Sequence, residues 1–340
     1  MGEAFGDLQR GHTVAVVVPV YKGETTLAAV VDEVSWLFEP HVSDDGHRLH
    51  VAEVLLVHDN GPDDSPRVIR ELEAKHPQVR AVWLTRNFGQ HAATLAGMAS
   101  SGSDWIVTMD EDGQHDPRAI PNFLDTAMRE QAGVVYAAPT NPPPHGALRN
   151  AASRTTKRVA SRLVPGSDIG SFQSYRLILG DVGRSVAAYA GAGVYLDIAL
   201  GWVNRRVATT PVTLRQESGR ASGYSTRTLA SHFWRLVLSS GTRGLRLVSL
   251  LGVSFAGVGV LVAIYAVVGR FLGTIDEPGW TSVMVMVCLG FGVVLFSLGV
   301  VAEYLGVAVN MAMGRPSYLI TDDPARGPLG RSAAVPARDG

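Results

Sequence analysis

The stretch Trp105-Ile106-Val107-Thr108-Met109-Asp110-Glu111-Asp112-Gly113-Gln114-His115-Asp116-Pro117 opens as an apolar run and stops at two carboxylates one residue apart. It reads as a buried strand that delivers acids to its end. In extended backbone the side chains at i and i+2 share a face, so Asp110 and Asp112 can meet one hard cation. Mg²⁺ or Mn²⁺ typically takes one or two carboxylates together with substrate phosphate oxygens. The spacing alone also suits a solvated surface turn, and the rest of the chain has to decide.

Residues 1–140 alternate apolar β-rich runs with amphipathic segments. Residues 14–18, 51–57, 79–84, 105–109 and 134–137 read as strands. Residues 25–38, 65–75, 88–101 and 117–129 read as helices, with Ser65 and Asp116 as caps and Pro66 and Pro117 in first turns. This alternation predicts an α/β fold with a mainly parallel, doubly covered sheet. Ligands of such sheets sit outside the carboxyl ends of the strands. Those ends carry Pro19-Val20-Tyr21-Lys22-Gly23-Glu24, His58-Asp59-Asn60-Gly61, Thr85-Arg86-Asn87-Phe88-Gly89 and Asp110-Glu111-Asp112. Asp59 closes its strand as Asp110 closes its own, so two strand ends aim carboxylates at one crevice. No G-x-G-x-x-G loop follows the first strand, which argues against an NAD enzyme, and no Walker A sequence is present.

With 340 residues, 46% hydrophobic content, 18% charged content and a net charge of −1, the chain suits about two domains and has no bias toward nucleic acid. Residues 247–268 and 280–302 carry no charge, and about 20 apolar residues cross a hydrocarbon core. The short connector, residues 269–279, predicts a two-helix transmembrane hairpin with both outer ends on one side. Arg235, Arg243 and Arg246 precede it and Arg315, Arg326 and Arg331 follow, whereas the connector sets Arg270 against Asp276 and Glu277. The arginine bias places the N-terminal region and the tail in the cytoplasm of a multi-pass cell-membrane protein. Residues 1–11 lack the apolar core of a signal peptide. Cys288 is the only cysteine, so no intrachain disulfide forms. Leu229, Phe233, Leu236 and Val237 have the spacing of a helix lying on the bilayer, or of a small-domain core helix. Gly252, Gly257, Gly259, Gly290 and Gly292 permit close helix packing, including between copies in a homo-oligomer.

From Gln131 through Ser167 there is no Asp or Glu, while Arg149, Arg154, Lys157, Arg158 and Arg162 are present. Arg154, Arg158 and Arg162 would form one helical stripe. It suits a phosphate-bearing substrate or anionic headgroups, or else a solvated basic face.

Five strings then fall in order: Val18-Pro19-Val20-Tyr21; Val57-His58-Asp59 with Asp63; Leu84-Thr85-Arg86-Asn87-Phe88-Gly89; Met109 to Pro117; and Glu303-Tyr304-Leu305-Gly306 followed by Gly314-Arg315-Pro316-Ser317-Tyr318. Together they resemble the family 2 inverting glycosyltransferases of GT-A fold that load a sugar onto polyprenyl phosphate, the dolichol-phosphate mannose synthase and bactoprenol glucosyltransferase group. The resemblance covers nearly the whole chain. It implies a GT-A domain over residues 1–228, an interfacial helix over 229–246, two membrane helices within 247–313 and a cytoplasmic tail over 314–340.

The resemblance also implies roles. Asp59, Pro19, Tyr21, Glu24 and Arg86 would serve the nucleotide sugar. Asp110 and Asp112 would hold Mg²⁺ or Mn²⁺ on the diphosphate, with Gln114 beside metal and sugar. Arg149 and Ser153 fall where relatives bind the acceptor phosphate, with Arg176 as a further candidate or as a structural ion pair to Asp168 or Asp181. Arg220 lies in a loop that in relatives closes over the diphosphate. Where many relatives have Gly-Asp-Phe-Arg, this chain has Gly170-Ser171-Phe172-Gln173-Ser174-Tyr175-Arg176, so an acid proposed as base in some members is Ser171. Relatives usually carry an arginine after the fifth strand, where this chain has Ala138-Pro139-Thr140-Asn141. A phosphate monoester, with a second pKa of about 6, is already largely a dianion at neutral pH and needs no base. The implied reaction is one-step inverting transfer of a hexosyl group from a UDP- or GDP-sugar to polyprenyl phosphate at the cytoplasmic face. A processive polysaccharide synthase would be expected to add more spans and a Gln-x-x-Arg-Trp element. A non-catalytic nucleotide- or lipid-binding scaffold would not need Asp59, Asp110 and Asp112.

Overall fold

The computed structural model describes residues 11–141, 173–191, 195–203, 206–215, 243–272, 279–314 and 316–327. The chain divides into two compact units, the first formed by Met1–Ser161, Pro165–Tyr224 and Pro316–Gly340, the second by Arg162–Val164 and Ser225–Arg315.

The first unit is built on a nine-stranded sheet of β1 (His12–Val20), β2 (His41–Val42), β3 (Arg48–His58), β4 (Val79–Leu84), β5 (Trp105–Thr108), β6 (Val134–Pro139), β7 (Arg176–Leu179), β8 (Val207–Val212) and β9 (Ile320–Thr321). Their order is β8-β6-β7-β5-β1-β3-β4-β9, with β2 on β3. Strands β1, β3, β4 and β5 are mutually parallel. Strand β7 runs antiparallel between β5 and β6, and β8 is parallel to β6. The sheet is therefore mainly parallel, as the alternation predicts. Successive strands β3 and β4 lie on one side of β1 and β5 on the other, which opens a crevice at their carboxyl ends.

Alternation along β1 divides the core. Val14, Val16, Val18 and Val20 pack with Leu27, Val31, Ile69 and Phe123 on one face, and Ala15 and Val17 with Ala93, Ala96 and Met98 on the other. Each fully buried Val, Leu or Ile side chain contributes roughly 1.5–3 kcal/mol over an exposed one. The covering helices are α1 (Leu27–Val34), α2 (Ser65–Lys75), α3 (Gln90–Ser100), α4 (Ile120–Glu130), α5 (Gly180–Tyr189) and α6 (Leu196–Val203). A Cβ on Gly97 would lie 2.4 Å from Val17 Cγ1, so α3 sits closer to the sheet than any side chain there allows. Asp116 accepts from Arg118 N–H and caps the turn Pro117–Ala119. Ser65, expected as a cap, is instead the first residue of α2, whose capping position is Asp64. Its hydroxyl donates to Asp63 Oδ1 and accepts from Gly23 N–H, so it joins two loops.

The second unit contains α7 (Arg243–Phe271) and α8 (Trp280–Ala312), with Phe255 3.6 Å from where a Cβ on Gly290 would lie. Apolar side chains such as Leu261, Tyr265, Phe291 and Leu295 are exposed. Among the described residues one stretch is long and apolar enough to cross a bilayer, Leu289–Asn310, with a mean hydropathy of 2.0. It is shifted C-terminally from the expected 280–302 and takes in Glu303. The expected first span falls in α7, where the apolar stretch Gly252–Val262 is shorter. Residues 243–246, assigned to a separate interfacial helix, are continuous with α7. Leu229, Phe233, Leu236 and Val237 lie outside the described residues, as do residues 273–278 of the connector and residues 328–340 of the tail.

Candidate active site

The crevice is braced by its own loops. The N–H groups of Tyr21 and Lys22, just beyond β1, each donate to the Glu111 carboxylate at 2.9 Å. Glu24 N–H donates to Asp63 Oδ2 at 3.1 Å and Asp64 N–H returns a bond to Glu24 Oε2 at 3.2 Å. Glu24 thus ties the loop after β1 to the loop after β3. At that junction a Cβ on Gly61 would sit 1.6 Å from the Tyr21 carbonyl oxygen, so no other residue fits without moving one loop. Pro19 is half-buried in β1, whereas Tyr21 is exposed.

Asp59 ends β3 buried, with both oxygens engaged: Oδ1 accepts from Phe88 N–H at 2.7 Å and Oδ2 from Gly89 N–H at 2.8 Å. Burial pushes its pKa up against the pull of those two bonds. Asp59 is expected to touch the nucleotide; its carboxylate also shapes the turn into α3, and each oxygen, accepting one bond, keeps further acceptor capacity. Gly89, with φ +92°, supplies a left-handed backbone that favours glycine. Arg86 is exposed and its guanidinium lies 4.2 Å over the Phe88 ring.

At the end of β5, Asp110 Oδ1 accepts from Gln90 Nε2 and Oδ2 from Ser174 Oγ, both at 2.6 Å. Its N–H donates to His115 Nδ1 at 3.0 Å, and His115 Nε2 lies 3.9 Å from Asp110 Oδ2. His115 is buried and stacks on Tyr175 with ring centres 4.7 Å apart. Asp112 Oδ1 accepts from Gln114 N–H at 3.0 Å. Burial first, and then the Asp110 charge, raise the Asp112 pKa. The Gln114 carbonyl accepts from Arg215 N–H, and Arg215 pairs with Asp116 at 3.0 Å.

Arg176 is not an open phosphate ligand. It is buried in β7 and paired with the equally buried Asp197 of α6. Its Nε donates to Thr108 Oγ1 at 3.1 Å. It is the structural ion pair, with a partner other than Asp168 or Asp181, because α6 brings an acid against the back of β7. Arg149, Ser153, Arg220, Asp168 and Ser171 lie outside the described residues. Gln90, Ser174, Glu111, His115 and Arg215 all reach the site without having been expected there. Glu111 and His115 sit inside the Met109 to Pro117 string, Ser174 inside Gly170 to Arg176 and Gln90 one residue beyond the Arg-Asn-Phe-Gly string, whereas Arg215 lies in none of them.

No salt bridge from Lys or Arg reaches Asp110 or Asp112 among the described residues, and no group of three or more acid, His or Cys side chains is arranged to hold a metal ion there. Asp110 and Asp112, both half-buried, offer two carboxylates at the end of β5. This donor set fits a divalent ion whose remaining ligands are substrate phosphate oxygens and water.

The family description Glycosyl transferase family 2 matches residues 15–183. An undecaprenyl-phosphate 4-deoxy-4-formamido-L-arabinose transferase of Aeromonas hydrophila subsp. hydrophila is 28% identical over 330 residues, covering 96% of each chain. One of the same name from Pseudomonas aeruginosa (strain LESB58) is 29% identical over 322 residues, covering 90% of this chain and 89% of its own. A crystal structure of glucosyl-3-phosphoglycerate synthase from Mycobacterium tuberculosis in complex with phosphoglyceric acid has a TM-score of 0.48 at 18% identity, over 68% of this chain and 80% of that one. The matched residues run from β1 into α5 and include the crevice residues from Pro19 to Arg176, with Arg215 beyond them. The chain carries a glycosyl transferase family 2 domain and is a glycosyltransferase.

Proposed function

We propose that the protein transfers a hexosyl group, with inversion, from a UDP- or GDP-sugar to a polyprenyl phosphate at the cytoplasmic membrane face. The observation that carries this reading is the pair of carboxylates at the switch point between β1 and β5: among the described residues no Lys or Arg stands within ion-pairing distance of Asp110 or Asp112, and His115 Nε2 lies 3.9 Å from Asp110. A polyprenyl acceptor is supported by relatives named as undecaprenyl-phosphate 4-deoxy-4-formamido-L-arabinose transferases, one of which aligns along 96% of both chains.

In the transfer, an acceptor phosphate oxygen bonds to the anomeric carbon from one face while the bond to the nucleoside diphosphate oxygen breaks on the other. The phosphate arrives as a dianion, so Ser171 in place of an acid is compatible with turnover. A divalent ion, Mg²⁺ or Mn²⁺, would be held by Asp110 and Asp112 and would neutralise charge on the leaving diphosphate. Gln90 and Ser174 fix the Asp110 carboxylate for that role. Glu111 holds the backbone of Tyr21, and Asp59 that of Phe88 and Gly89, so the nucleotide pocket has rigid walls. Arg149, Ser153 and Arg220 serve the acceptor phosphate and the diphosphate. Helices α7 and α8 anchor the enzyme as a hairpin, preceded by the amphipathic segment from Leu229, with the catalytic unit and tail cytoplasmic. Its support is their exposed apolar surface and the arginines flanking them.

The test is incubation of the full-length protein in detergent with labelled UDP- and GDP-sugars, polyprenyl phosphate and Mg²⁺ or Mn²⁺. An organic-extractable sugar product that Asp112→Ala abolishes supports the reading. No such product across a broad donor panel, or full activity in Asp112→Ala, overturns it.

A further inference from the structure

The residues after α8 return to the sheet of the first unit at a point that bears on the crevice. Strand β9 pairs antiparallel with β4, Thr321 opposite Trp83 and Ile320 opposite Leu84. The ladder continues one residue further, where Thr85 N–H donates to the Leu319 carbonyl at 3.1 Å. Thr85 opens the loop that supplies Phe88 N–H and Gly89 N–H to Asp59 and, one residue on, the Gln90 side chain to Asp110. Beyond β9, Asp323 receives a bidentate pair from Arg70 of α2, with Nε and Nη2 each at 2.8 Å. The Arg70 guanidinium lies 5.1 Å over the Trp83 ring, on the strand that β9 extends. Asp323 is buried and also accepts from Ala325 N–H. Both residues of β9 are exposed. The strand therefore adds backbone bonds where β4 becomes the loop, and almost no core.

We propose that the Arg70–Asp323 clasp and residues 317–326 are positioning elements for glycosyl transfer, holding the 85–90 loop so that Gln90 sets the Asp110 carboxylate. This rests on reading Asp110 and Asp112 as the diphosphate end of the site. A bidentate Arg–carboxylate pair fixes orientation as well as distance, and the chain it orients is bonded to β4 two residues before the pair. Releasing it frees the ladder at Thr85 without opening the core. The effect falls on the transfer step more than on substrate capture, because displacements near 1 Å at a reacting centre cost up to about a hundredfold in rate.

The test uses the full-length protein and four variants: Asp323→Ala, Asp323→Glu, Arg70→Met and the double Arg70→Met/Asp323→Ala. Asp323→Ala and Arg70→Met are each expected to lower kcat by roughly ten- to a hundredfold, with KM for polyprenyl phosphate within about twofold. The double variant falls no further than either single one, since the two residues act as one unit. Asp323→Glu, which keeps the pair, restores most of kcat. Hydrogen exchange supplies a readout independent of turnover: the Phe88 and Gly89 amides lose protection in Asp323→Ala while the thermal midpoint of the sheet stays put. Unchanged kcat or unchanged protection in Asp323→Ala, with Asp112→Ala inactive, overturns the proposal alone. Retained transfer in Asp112→Ala overturns the reading of the site on which it rests. Should Asp323→Ala not accumulate folded, Arg70→Met carries the same decision with the tail sequence intact.

Discussion

Replacing Asp197 with Asn tests most directly whether Arg176 is structural. The Arg176 guanidinium is buried, with Asp197 as its charged partner, Thr108 Oγ1 at 3.1 Å as a neutral acceptor and the Tyr136 ring 5.8 Å away. Removing one partner of a buried pair costs about 3–5 kcal/mol, because the remaining charge stays desolvated. Asparagine preserves an acceptor for Tyr136 Oη, which donates to Asp197 at 2.9 Å, so a further loss for an orphaned hydroxyl is avoided. The lower end, about 3 kcal/mol, is therefore expected. A domain of 150–250 residues shifts by roughly 2–4 °C per kcal/mol, giving a fall of about 6–12 °C in the thermal midpoint followed by tryptophan fluorescence in detergent. The paired replacement Arg176→Met/Asp197→Asn should recover most of it, since it leaves no buried charge and keeps an acceptor for Tyr136 Oη. The reasoning is refuted if Asp197→Asn unfolds with the wild type while Arg176→Met selectively raises KM for polyprenyl phosphate, which is how an acceptor ligand would behave.

Gly61→Ala should abolish nucleotide-sugar binding measured by calorimetry while far-UV circular dichroism is kept, because its Cβ would collide with the Tyr21 carbonyl 1.6 Å away; wild-type affinity would show that the two loops are not locked together. Asp112→Asn should leave the thermal midpoint without ligand unchanged or higher, since it removes a carboxylate whose ionisation burial and Asp110 disfavour. It should also lose the shift given by Mn²⁺ with nucleoside diphosphate, about 2.7 kcal/mol at a hundred times Kd, and a persisting shift would remove Asp112 from the metal site. Asp125 is pushed up by burial, but bonds from the Ser43 hydroxyl, His47 and Asp45 N–H outweigh this and hold its pKa below the ordinary value. Its contribution is therefore complete above the unfolded carboxylate pKa of about 3.9 and fades as pH falls through the depressed folded value. Ser43→Ala should cost about 1 kcal/mol at pH 7, a gap that narrows below about pH 4; a gap independent of pH would refute the linkage.

Strands β1, β3, β4, β5 and β6 were legible because buried parallel strands write themselves as short Val- and Ile-rich runs. Residues 79–84 and 65–75 were read with their observed bounds. Strand β7 was missed: Arg176-Leu177-Ile178-Leu179 opens on a charge, and nothing local signals an antiparallel insertion between β5 and β6. Strand β9 has only two residues and exists through its pairing with β4, far away in sequence. Asp110 and Asp112 were visible because a carboxylate at the end of an apolar strand is costly without a purpose. Gln90 and Ser174 were not, since neutral polar residues carry no such cost and gain their meaning only when folding sets them against Asp110. For Arg176 the ion-pair alternative holds but not its expected partners, because Asp197 sits inside the otherwise apolar helix Leu196–Val203.

Strand β9 also sets an order of events in synthesis. The first unit takes its final strand from residues that follow α8, so a nascent chain emerging from the ribosome cannot finish the sheet until both long helices have been made. Until then β4 ends in unpaired amides and carbonyls, the kind of edge that recruits other strands. A chain cut short within α7 or α8 would keep Asp59, Asp110 and Asp112 yet carry that raw edge permanently. Completion of the sheet is in this way a record that synthesis has passed both long helices and β9.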